Sequence, residues 1–256
     1  MLKTSLDMVL DFPRDQARAL TGADVGGSLS ISVNSFVFER PGATVLIDAG
    51  AGDTMQPTLG RLPTDLAASG TPAKAITHIL LTHLHPDHAN GLTGADGLAV
   101  FPNAELLVSA PEFDFWMGEG DAHDSDSVKR MRARNHVNLA PYRNRIRRAR
   151  DGEAVLGCTP ILAPGHSPGH TCWLIETGGE AMLAWGDIVH FANLQISHSD
   201  VSLTYDLDPG MARRSRARML DLAVAERLMV AGAHLDAPGL GHIVRRSAGH
   251  AFVPVA

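Results

Sequence analysis

Cysteine is scarce: Cys158 and Cys172 are the two thiols in 256 residues, too few for a disulfide framework. They flank a loop in the 160s, which leaves a bridge open, with buried free thiols as the expectation. No run approaches roughly 18 consecutive apolar residues, so no membrane-spanning helix is read from the sequence. Asp7 and Asp11 fall inside what would be the apolar region of a signal peptide, so no export signal is read there either. A cytoplasmic protein follows, or a periplasmic one if a leader has been removed. Basic excess is also missing. The formal net charge of -6 argues against a nucleic-acid binder held by overall electrostatics. With 45% hydrophobic and 20% charged residues the composition is that of a globular chain, not a disordered one. No linker or low-complexity stretch divides it, so a single domain over 1–256 is expected.

Histidine is what the chain has in quantity, thirteen in all. His83, His85 and His88, with Asp87, lie in the stretch Thr82–Gly91, directly after the apolar run Ile79–Leu81. Side chains alternate along extended backbone, so His83 and His85 point the same way and can grip one ion. Pro86 ends the extended segment, which lets Asp87 and His88 project toward a second position beside the first. Imidazole and carboxylate together suit zinc, iron or manganese, and two adjacent metals is the natural reading.

Leu29, Ile31 and Val33 alternate with polar residues as one strand, continued by Phe36–Phe38. After the turn at Arg40–Gly42, Thr44–Ile47 returns and delivers Asp48 into a glycine-rich turn. The pattern then predicts a short helix from Leu62 to Ser69, a strand from Ile76 to Thr82, a short helix after His88, and a strand from Glu105 to Ser109. His78 reads as a packed histidine of its strand. Ala154–Leu156 and Ile161–Leu162 read as strands, and Cys172–Glu176 with Met182–Trp185 as a hairpin about Gly178–Gly179, ending at Asp187. Asp208–Pro209 caps a helix whose buried stripe is Ala212, Ser215, Met219, Leu222 and Ala223, with Arg213, Arg214, Arg216 and Arg218 solvated. Leu228–Ala231 then delivers His234. Strands and helices in alternation give an α/β layered domain.

Residues 111–150 hold Phe113, Phe115, Trp116, several acids, and nine of the 22 basic residues between Lys129 and Arg150. Solvated helix faces paired with the nearby acids are the reading preferred over a phosphate-rich partner. The aromatic cluster is either core or one wall of a substrate pocket.

Asp48 after a strand, HxHxDH from His83 to His88, PGHSPGHT with His170, strand-borne Asp187, and late His234 resemble the metallo-β-lactamase-fold hydrolase superfamily. The motifs occur in the expected order across nearly the whole chain. Within it, Phe101–Ala104, Ser109–Phe113, Gly186–His190, Ala231–Leu235 and Pro238–His242 resemble the branch holding methyl parathion hydrolase and related lactonases. The resemblance implies an αββα sandwich, two mixed β-sheets face to face with helices outside and a dinuclear metal site at one edge. It implies His83, His85 and His170 on one metal, Asp87, His88 and His234 on the other, and Asp187 bridging. Asp48 then steadies the ligand loop, and His166 shapes its own loop without binding metal. Two divalent ions per chain are implied, zinc first, with iron, manganese or cobalt as alternatives.

The chemistry implied is a metal-bridging hydroxide attacking a lactone or related ester, with aryl esters and phosphotriesters as side substrates. Asp87 would orient the water and shuttle its proton. His190 would either donate an imidazole N–H to the developing oxyanion or support the metals. Phe113, Phe115 and Trp116 would form an apolar wall. A small-molecule substrate is expected, neither nucleic acid nor membrane is expected as a partner, and a homodimer is left open. Competing readings are an iron-dependent oxidoreductase such as a sulfur dioxygenase, a nucleic-acid phosphodiesterase using Lys129–Arg150, a glyoxalase II-like thioesterase, and a metal-binding module without catalysis.

Overall fold

Apolar strands that end in polar residues organise this computed structural model, which describes residues 1–247 and 249–255. The chain forms two compact units, one of residues 1–34 with 157–256 and the other of residues 35–156. In the first unit the chain starts as β1 (Leu2–Ser5), β2 (Val9–Leu10), helix α1 (Arg14–Thr21) and β3 (Ser28–Ile31). It then enters the second unit as β4 (Phe36–Arg40), β5 (Ala43–Ile47), α2 (Leu62–Ala68), β6 (His78–Leu80), α3 (Pro86–Ala89) and β7 (Glu105–Ser109). Helices α4 (Ala110–Met117) and α5 (Asp126–Leu139) and strand β8 (Ile146–Ala149) complete that unit. The return to the first unit brings β9 (Cys158–Leu162), β10 (Thr171–Thr177), β11 (Glu180–Gly186), β12 (Ser202–Leu203), α6 (Pro209–Ala225), β13 (Met229–Gly232), β14 (Leu240–Arg246) and β15 (Gly249–Pro254).

The unit of residues 35–156 holds a five-stranded mixed sheet in the order β4-β5-β6-β7-β8. Only β4 and β5 pair antiparallel; the other neighbours run parallel. Parallel pairing aligns the carboxyl ends of β5 and β6, with Ile47 opposite Leu80, and that end is where Asp48 and the histidine loop emerge. Leu46, Ile79, Leu81, Leu106, Val108 and Trp116 belong to this unit's core. The unit of residues 1–34 and 157–256 holds a six-stranded mixed sheet, β15-β14-β13-β11-β10-β9, parallel only at β11–β13. There the ends of β11 and β13 lie side by side and deliver Asp187 and His234.

Several local expectations change. The alternating run from Leu29 is two strands, because β3 pairs with β1 and β4 with β5, in different sheets. Ala154–Leu156 is not a strand; Leu156 turns with φ 54°, and β8 takes the ladder position beside β7. Ala212, Ser215, Met219 and Ala223 are buried as the helical spacing predicts, while Leu222 is half-buried. Arg216, expected in solvent, is 1% exposed. Part of the basic run does pair with acids: Arg132 with Asp124 at 2.9 Å, Arg147 with Glu153 at 3.5 Å, and Arg148 with Asp114. Cys158 and Cys172 are buried thiols not joined in a disulfide, on adjacent strands but out of register with each other. Among the described residues no helix is long and apolar enough to cross a membrane.

Candidate metal centre

In the unit of residues 35–156, Asp48 leaves β5 in the left-handed conformation, φ 56°, which a short polar side chain tolerates. Its carboxylate accepts the Thr82 N–H and the Thr82 hydroxyl, both at 2.8 Å, and faces His88 Nδ1 at 2.8 Å. A carboxylate only accepts, so His88 Nδ1 carries the proton and its Nε2 keeps the lone pair. The Thr82 hydroxyl has spent its proton on Asp48 and therefore accepts from His83 Nδ1–H at 3.0 Å, which leaves His83 the same tautomer. One buried acid thus fixes the orientation of two imidazoles, the support that metal-ligating histidines receive.

His85 precedes α3 in extended conformation, and Pro86 occupies the first helical turn. The His83 ring lies 4.6 Å from His85 and 4.1 Å from His88, centroid to centroid, so the three histidines do converge. Asp87 is half-buried, its carboxylate 3.7 Å from His88 Nε2. The close approach of the turns requires glycine at position 91, where a Cβ would stand 2.0 Å from Ala49 O.

Trp116 is wholly buried and packs edge-on against His85 at 5.7 Å. Its indole N–H donates to Glu112 Oε1 at 2.7 Å, the oxygen that also accepts the Leu84 N–H at 2.9 Å. It is therefore a prop beneath the histidine loop, not a wall open to substrate. Phe113 and Phe115 are half-buried against the same core, each covered by a guanidinium, Arg148 at 5.5 Å and Arg132 at 4.9 Å.

In the unit of residues 1–34 and 157–256 the pivot is Asp187, just past β11. Its Oδ2 is met by three imidazole Nε2 atoms, those of His166 and His234 at 3.1 Å and His190 at 3.2 Å. His166, Asp187 and His190 offer ligand atoms within 4.8 Å of one another. His234 Nδ1 donates to Ser32 O at 2.6 Å, and Asn34 holds the His234 loop through the carbonyls of Gly232 and Leu235. His166 Nδ1 donates to Asp206 Oδ1 at 3.0 Å. Burial lowers the proton affinity of His166, but Asp187 and Asp206 outweigh it and hold its pKa up at about 9. Burial dominates at His190 and pushes it down to about 4.

His170 has a different bond. Its Nε2 accepts the backbone N–H of Asp187 at 3.0 Å, so that lone pair positions the Asp187 loop. The expectation for the two histidines of PGHSPGH is thereby reversed in geometry, with His166 beside the carboxylate. Gly165 is forced, since at φ 129° a Cβ would lie 2.1 Å from Ala212 N at the start of α6. The two histidines look alike in sequence; their partners tell them apart, the Asp187 carboxylate and the distant Asp206 for His166 and the Asp187 backbone N–H for His170. His190 stacks on His234 at 4.7 Å, and its backbone N–H is fixed by Gln195 Oε1 at 2.7 Å. With Nε2 facing a carboxylate it is a donor to Asp187, which favours the supporting role over oxyanion donation. Glu112, Gln195, Asp206 and Arg216 are buried polar residues that no spacing rule marked. A cavity of about 650 Å³ is lined by Glu176, Glu226, Arg227 and His242 among others and by none of these histidines and acids, so volume does not mark the site.

Both sets offer imidazole and carboxylate donors, buried and pre-oriented, which fit divalent first-row metals. The chain belongs to the metallo-β-lactamase superfamily, whose pattern it matches over residues 31–234. Its fold class is the α/β one of that superfamily, with mixed sheets and helices. It is similar to the crystal structure of a hydrolase, AbOPH, with 30% identity and a TM-score of 0.94, over 100% of this chain and 91% of that one. It is also similar to AidC, a dizinc quorum-quenching lactonase solved with a product, with 26% identity, a TM-score of 0.83, and coverage of 90% and 82%. The N-acyl homoserine lactonase of Bacillus thuringiensis is 27% identical over 161 residues, 62% of this chain and 56% of that protein. An uncharacterised protein of Bacillus subtilis (strain 168), YobT, is 28% identical over 152 residues, 57% and 58% of the two chains. The chain thus spans under three fifths of the length of these two curated relatives.

Proposed function

We propose that this protein is a dinuclear-metal-dependent hydrolase that opens lactones or related esters. The proposal assigns metal binding to His83, His85, Asp87, His88, Asp187 and His234, and to His166 in place of His170. The observation that carries it is the shared pose of His83, His88, His166 and His234, each with Nδ1 donating to a fixed acceptor, which leaves Nε2 as the nitrogen that would serve a metal ion in place of a proton. The lactonases among its relatives support the substrate class, and the dizinc lactonase supports two ions with zinc as the first choice.

When bound, such a pair of ions supplies Lewis acidity and makes hydroxide available near neutral pH. The residues of the chain do the rest. Asp48 holds Thr82 and His88 rigid, and His170 fixes the backbone from which Asp187 projects. Asp87, half-buried, is exposed enough to orient water and to pass its proton to the leaving alkoxide. His190 donates to Asp187 and keeps that carboxylate in one pose. No serine or cysteine nucleophile is required.

Elemental analysis of the purified protein combined with a panel of lactones, aryl esters and a phosphotriester tests the reading. About two ions per chain and lactone opening, abolished in Asp187→Ala and His88→Ala, are expected. Metal-loaded protein that opens neither lactones nor aryl esters would overturn it.

A further inference from the structure

Arg216 projects from the middle of α6 into the interior of its unit and is 1% exposed. Its Nε donates to Ile188 O at 2.7 Å, one residue beyond Asp187. Its Nη1 donates to Val201 O at 2.6 Å and Ser199 O at 3.0 Å, and Nη2 stands 3.8 Å from Asp206 Oδ2. Asp206 is buried as well; it accepts His166 Nδ1–H through Oδ1 and the Leu203 N–H, at 3.1 Å, through Oδ2. One guanidinium therefore touches the loop that carries Asp187 and the carboxylate that orients His166.

We propose that Asp206 and Arg216 are positioning residues of the metal centre, Asp206 setting the pose of His166 and Arg216 locking the Asp187 loop to the same frame. The inference rests on the metal-binding reading above. Burying a full positive and a full negative charge is a poor way to gain stability, since apolar side chains of similar size commonly do as well or better. What the pair supplies is direction. Three carbonyls approached from two sides require the planar fork of arginine, which lysine, a single point donor, cannot reproduce. Outer partners of this kind typically change metal affinity about 10- to 100-fold.

The test is cobalt(II) titration of the full chain after chelation, for the wild type, Asp206→Asn, Arg216→Lys, and the surface control Arg245→Ala. Three quantities are read: affinity by chelator competition, the visible spectrum of the cobalt-loaded protein, and the metal-induced rise in melting temperature over each variant's own chelated form. Asp206→Asn is expected to bind cobalt about 10- to 100-fold more weakly, with altered visible bands and a smaller rise in melting temperature. Arg216→Lys should move in the same direction although it keeps the charge, and it carries the comparison if the asparagine variant does not fold. The control should match wild type. Wild-type affinity and spectrum in both variants would overturn the positioning role and leave the functional reading standing. A wild type that binds no cobalt would overturn both.

Discussion

Asp48 sits where three separate demands meet: it ends a strand, accepts two bonds from Thr82, and holds the proton of His88. An asparagine there keeps the shape but loses one of two acceptor oxygens, so not all three contacts survive. Asp48→Asn is expected to weaken metal affinity about 10- to 100-fold, measured by chelator competition, with the fold retained by circular dichroism. The thiols give a second check at this scale. Burial pushes the Cys172 thiol well above its ordinary range, and Cys158 is equally buried. Neither should react with a thiol reagent at pH 8 in the folded protein, and both should react once it is unfolded. HxHxDH was legible because its spacing alone brings His83, His85 and His88 together. The distinction between His166 and His170 was not, because it depends on Asp206, which arrives from far along the chain.

At the level of elements, helix α4 shows how a segment that resembles a pocket wall becomes a support. Ser109 caps it, its Oγ accepting the Glu112 N–H, and the helix presents Glu112 and Trp116 on one buried face. Glu112→Ala would leave the buried Trp116 and Leu84 N–H groups without their acceptor, at a cost of about 1–3 kcal/mol each. Urea unfolding is expected to show the loss, with Glu112→Gln, which retains an acceptor oxygen, substantially milder. The aromatic cluster was ambiguous in sequence because hydrophobicity does not say which side of a short helix is covered. Helix α6 carries the complementary lesson. Its stripe of Ala212, Ser215, Met219 and Ala223 was readable from spacing. Arg216 was not, since a long side chain can fold inward to carbonyls that spacing does not show. Strand ends were the best-read feature, with Asp48, Asp187 and His234 each found just beyond the strand expected to deliver it.

Across the whole molecule, the superfamily match runs through both compact units, from residue 31 to residue 234, so each unit carries part of one family pattern. Within each unit the mixed sheet gathers its ligand candidates at the carboxyl ends of adjacent parallel strands, β5 with β6 and β11 with β13. The α/β class followed from the order of elements; the division of the Leu29–Phe38 run between two sheets did not, because alternation reports a buried face without naming the sheet. A ligand that binds only the folded state adds about 2.7 kcal/mol at a hundredfold excess over its dissociation constant. Chelation should therefore lower the melting temperature as well as the rate. The central claim is two metal ions serving lactone hydrolysis, and it is tested most directly by titrating zinc into the chelated full chain while recording the rate of lactone opening. The account predicts a rate near zero without metal that rises to a plateau at about two equivalents per chain. Undiminished lactone opening in protein shown by elemental analysis to be free of metal would contradict it.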